Sequence, residues 1–211
     1  MMRRSKIGYS DFYDLMKKGR LARDYALIHY DELAKRPAAH ILYGPSSNYL
    51  GGMVPVRSKS PKPHLLSTHT RKKSYTAYEL DENDKVIRVT HVRKSVPDCT
   101  YHLFEIDGIT YGQPFFPDQN KPYPQATMAI QYANGHPAYH AMTKGDHYLY
   151  AEFYDYPDPN TVHADLYLFI PEGTVAPGVP KNFEAPFGAW DSPVTLDSYE
   201  QPYQPFAVKS P

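Results

Sequence analysis

From Ser74 to Ile170 apolar and polar residues alternate with a period of two, in runs broken by turn-forming sequence, and this pattern restricts the fold more than any other feature. The alternation predicts strands over Ser74–Leu80, Val86–Val96, Tyr101–Ile106, Ile109–Gly112, Ala126–Tyr132, Ala138–Met142, His147–Tyr154 and Val162–Ile170. Asp81 to Lys85, Asp107-Gly108, Asn134-Gly135, Thr143 to Asp146 and Tyr156 to Asn160 separate them. Connections this short cannot carry parallel crossovers, so consecutive strands pair antiparallel. The expected fold is α+β and mainly β: an antiparallel meander or barrel-like sheet.

Three other segments surround residues 74–170. Within residues 1–36, Ser10 is a good N-cap, and Phe12, Leu15 and Met16 stand at helical spacing before Gly19, which predicts a helix over Asp11–Lys18. A second is expected over Leu21–Lys35, stopped by Pro37. Residues 37–73 hold clustered Gly, Pro and Ser and no acidic residue, and read as a basic arm or linker. Residues 171–211 hold 8 prolines among six aromatics, namely Phe183, Phe187, Trp190, Tyr199, Tyr203 and Phe206. That composition predicts an extended tail packed on the sheet.

Twenty tyrosines and 21 prolines in 211 residues are high, but 41% hydrophobic residues suffice for an ordered core. Cys99 is the single cysteine, so an internal disulfide and a paired-cysteine metal motif are excluded. No apolar run reaches the length of a membrane span, and the opening Met-Met-Arg-Arg-Ser-Lys lacks the apolar core of a secretory signal, so a cytoplasmic location is expected. The formal net charge of zero conceals an asymmetry: residues 1–94 hold 19 Lys and Arg against 9 Asp and Glu, and residues 95–211 hold 4 against 14. Charged partners therefore stay open.

Ten histidines direct attention to acid–base and metal chemistry. A turn centred on Lys144-Gly145 would set His140 opposite Leu149 and diagonal to His147, with His136 joining them if the chain stays extended through Pro137. Three imidazoles at His136, His140 and His147 would suit zinc with one open position, although no tight metal signature accompanies them. His91 and His102, with Tyr101, Arg93 and Lys94 nearby, are the residue types that metal-free cleavage of RNA requires, as are His140 and His147. Tyr148, Tyr150, Glu152 and Tyr154 fall on one side of a strand and form a candidate aromatic, acidic face for a protein partner. Arg71, Lys72 and Lys73 are the candidate anion-binding group of the arm, through which nucleic acid would be held.

No nucleotide-binding glycine loop, phosphate-loop lysine or nucleophile elbow is present, so nucleotide-dependent and α/β-hydrolase classes are disfavoured. The leading expectation is a soluble interaction protein of the inhibitor or toxin-neutralising type. Two rivals stay open: an enzyme acting on nucleic acid or another phosphorylated substrate, and a small-ligand carrier with a β-barrel cavity.

Overall fold

The computed structural model describes residues 9–44, 67–68, 74–116, 126–134, 136–144, 148–158, 161–169 and 194–202. Helices α1 (Tyr9–Ile28) and α2 (Tyr30–Lys35) precede ten strands: β1 (His40–Gly44), β2 (Tyr75–Leu80), β3 (Val86–Arg93), β4 (Val96–Ile106), β5 (Ile109–Phe115), β6 (Thr127–Ala133), β7 (His136–Lys144), β8 (Tyr148–Asp158), β9 (Thr161–Phe169) and β10 (Val194–Pro202). The strands pair antiparallel in chain order, so the meander predicted from alternation is present as β2 to β9. Two strands extend it at its ends. β1 pairs β2 from within the segment expected to be a loop, where Ile41, Leu42 and Tyr43 supply strand-forming side chains, and β10 pairs β9 from within the tail. Most of the rest of the arm, including Arg57, Lys59, Lys62 and Arg71 to Lys73, lies outside the described residues, as do Phe183, Phe187, Trp190, Tyr203 and Phe206 of the tail.

The helices divide differently from expectation. α1 runs straight through Gly19, and the break falls at His29. Gly19 does not end a helix; it lets one approach the sheet. A Cβ at this position would lie 2.6 Å from Thr143 Oγ1 and 2.8 Å from its Cγ2. Phe12, Leu15, Met16, Gly19, Ala22 and Ala26 form the buried stripe, facing β5 to β8. Beneath it Phe104, Tyr111, Ala129, Ala141 and Ala151 follow one another in register across β4 to β8. Small residues on both sides bring helix and sheet close. Gly19→Ala therefore destabilises by up to about 2 kcal/mol, because overpacking that reaches ~3 kcal/mol outweighs the ~1 kcal/mol gained in helix propensity. A urea midpoint equal to or above wild type would contradict this.

Turns fix the register. Asp107-Gly108 adopts positive φ at both positions, 50° and 72°, and closes β4 on β5 as the dipeptide predicts. The β3–β4 hairpin turns at Lys94-Ser95, with φ of 51° and 66°, earlier than the sequence suggests because neither residue carries the usual Gly or Asn signal. Pro97 is accommodated there at a β-bulge between His91 and Val92.

Part of the second face of the sheet is buried as well. Tyr78, Leu80, Val89, Leu103 and Met128 form a separate apolar cluster, joined by Leu42, Tyr101 and Met142. In register Leu103, Gly112, Met128, Met142 and Tyr150 make one row across this face. The glycine places no side chain between Leu103 and Met128.

Candidate functional site

Strand alternation carries Tyr150, Glu152 and Tyr154 to the second face together. Glu152 is fully buried, at 0% exposure, in the middle of the three. Tyr150 donates its hydroxyl to Glu152 Oε1 at 2.5 Å and Tyr154 donates to Oε2 at 2.5 Å. Both carboxylate oxygens thus receive a phenolic hydrogen bond, of the charge-assisted kind that contributes about 1.5–3 kcal/mol each. Directly across the ladder from Glu152 stands His140, at 2% exposure. Opposed Cβ atoms lie roughly 4.5–5.5 Å apart, so His140 is the cross-strand neighbour of the carboxylate and its two phenols, on the face that carries the apolar row of Leu103, Met128 and Met142.

That pairing corrects the expected register. His140 opposes Glu152, not Leu149, and Lys144 opposes Tyr148. The physical reason is burial on both faces. The observed register sets Ala141 opposite Ala151 and Thr143 opposite Leu149 under the helix, keeping His140 with Glu152 on the other side. A β-bulge between Gln131 and Tyr132 pairs Tyr132 with Pro137 and interrupts the alternation on which a shared face for His136 and His140 depended. His147 lies outside the described residues, and nothing is described of the side chains of His136 and Tyr148. Among the described residues no group of three His, Cys, Asp or Glu is placed to hold a metal ion.

His91 and His102 lie on opposite faces of the sheet. His91 pairs with Cys99 and its Nδ1 is 3.0 Å from Thr76 Oγ1, while its ring meets Tyr101 edge-on at 5.5 Å. Burial lowers its pKa against a smaller upward pull from Asp98. His102 is on the helix side, paired with Arg88, its ring 5.7 Å from Tyr30 and 5.3 Å from Phe115. The sheet therefore separates this acid–base pair. Arg93 forms an exposed ion pair with Asp98 at 3.2 Å. Burial, aided by Asp98, pushes the Cys99 thiol up to about 12, which suppresses the thiolate.

The sequence pattern placed Tyr150, Glu152 and Tyr154 on a common side, but not His140 opposite them. No family model, curated protein or solved structure matches this chain. Among the described residues no helix is long and apolar enough to cross a membrane.

Proposed function

We propose that the protein binds a small organic molecule against the second face of its sheet. Glu152, Tyr150, Tyr154 and His140 engage the polar group of the ligand, and Leu103, Met128 and Met142 receive its apolar body. The observation that carries this reading is the buried carboxylate with both oxygens engaged by phenols. Burying an ionised carboxylate costs several kcal/mol, and an apolar side chain would serve packing better. Its presence beside an apolar row is the composition of a small-molecule site, mostly apolar with a few convergent polar groups. A face that recognises a macromolecule presents its anchors to solvent. Glu152 and Tyr154 are buried, which favours a small ligand over a protein partner at these residues.

Glu152→Gln tests the proposal, because the amide keeps the shape and one acceptor oxygen, obliges the second phenol to turn from donor to acceptor, and removes the charge. Stability is expected to fall by about 1–3 kcal/mol as two charge-assisted bonds become neutral ones, and ligand affinity to fall at least ~10-fold. Protein purified gently from its native cells and weighed by non-denaturing mass spectrometry should carry a small-molecule increment that the variant lacks. Wild type at the bare chain mass, or an equal increment on both proteins, would contradict the proposal.

A further inference from the structure

We propose that His102 is an acid-operated latch, whose protonation frees helix α2 from the sheet while the meander stays folded. With six residues, α2 is too short to persist without tertiary contacts. Its attachments converge on His102. The guanidinium of Arg88, the cross-strand partner of His102, donates from Nη1 to the carbonyls of Leu33 at 3.3 Å, Ala34 at 3.0 Å and Arg36 at 2.8 Å. Tyr30 of α2 lies edge-on against the imidazole and tilts over Phe115 at 4.7 Å, and Leu33 is buried. Arg36, just beyond the helix, donates from Nη1 to the Leu103 carbonyl at 2.8 Å.

Protonation acts on this junction in two ways. It sets a second cation beside Arg88, and it creates an N–H at Nδ1, a buried atom with no hydrogen-bond partner among the described residues. The facing groups are Arg88 from β3, Glu79 from β2, the Tyr30 phenol and the Leu33 carbonyl from α2, and the uncharged Gln113 opposite on β5. Only Glu79 is anionic, and its carboxylate is already bonded to Arg88 through Nε at 3.0 Å and Nη2 at 2.5 Å. Burial first, then Arg88, lower the His102 pKa to about 4, against upward pulls from the Leu33 carbonyl and Glu79. A released α2 has an ordinary imidazole near 6.5. Between those values the released form binds more protons than the docked form, so docking is complete above about pH 6.5 and weakens as pH falls toward 4. Release uncovers Phe115 and Leu33.

Hydrogen exchange at about pH 7 and about pH 4, corrected for intrinsic rates, reads the latch directly. Amides of residues 29–36 are expected to lose about tenfold or more of their protection at the lower pH while those of β8 keep theirs, and His102→Gln is expected to hold α2 protection at both. Imidazole NMR titration of the wild-type chain supplies a reading that needs no variant, with His102 protonating in step with the loss of α2 protection. Equal α2 protection at the two pH values, simultaneous loss in α2 and β8, or the same opening in His102→Gln would each overturn the proposal.

Discussion

Arg88→Met lowers the unfolding free energy by about 3–5 kcal/mol, the loss expected when one partner of a largely buried ion pair is removed. Methionine fills much of the space but donates nothing. Glu79, with its side chain 21% exposed, is left beside an apolar chain, and the carbonyls of Leu33, Ala34 and Arg36 lose their common donor. The double variant Arg88→Met with Glu79→Gln should recover part of the loss, because the uncompensated carboxylate is gone while the carbonyls stay unserved. Denaturant unfolding of the three proteins measures both effects. A single-variant loss below about 1 kcal/mol would place this contact among solvent-screened surface pairs and refute its role in fastening α2.

Phe12→Ala is expected to cost a similar amount, about 3–5 kcal/mol, by opening a cavity between α1 and the far strands of the meander. Phe12 is completely buried, with its ring 5.5 Å from Phe169 on β9 and edge-on to Phe153 on β8 at 6.2 Å. Phe12→Leu should cost roughly 1–3 kcal/mol, since volume is largely kept and the aromatic pairing is lost. Tyr13→Ala is the control. Tyr13 also meets Phe169, at 5.2 Å, but is 41% exposed, so its truncation leaves little cavity. Equal losses for Phe12→Ala and Tyr13→Ala would show that the helix is not anchored through its buried stripe.

The strand ladder was legible in the sequence because a half-buried strand writes its sidedness into every second residue, and Asp107-Gly108 announced its own hairpin. What stayed hidden depended on partners distant in sequence. Gly19 looks like a helix terminator until Thr143 is seen to fill the space where its side chain would be. Lys94-Ser95 carries no turn signature, and the pairing of Arg93 with Val96 across it shows where the chain reverses. The same holds for the site. Tyr150, Glu152 and Tyr154 share a side by alternation alone, whereas the position of His140 opposite Glu152 rests on which register buries Ala141 and Ala151 under α1. That choice is made by two faces at once, and no single strand contains it.

Methionine-methyl NMR on the protein as isolated, and again after extraction of bound organic molecules, reads whether a small molecule is held against the second face. Met128 and Met142 lie on the claimed face, and Met16 lies in the helix-side core. Extraction is expected to shift the methyl signals of Met128 and Met142 and to leave Met16 in place. Spectra unchanged by extraction, or shifts confined to Met16, would contradict it.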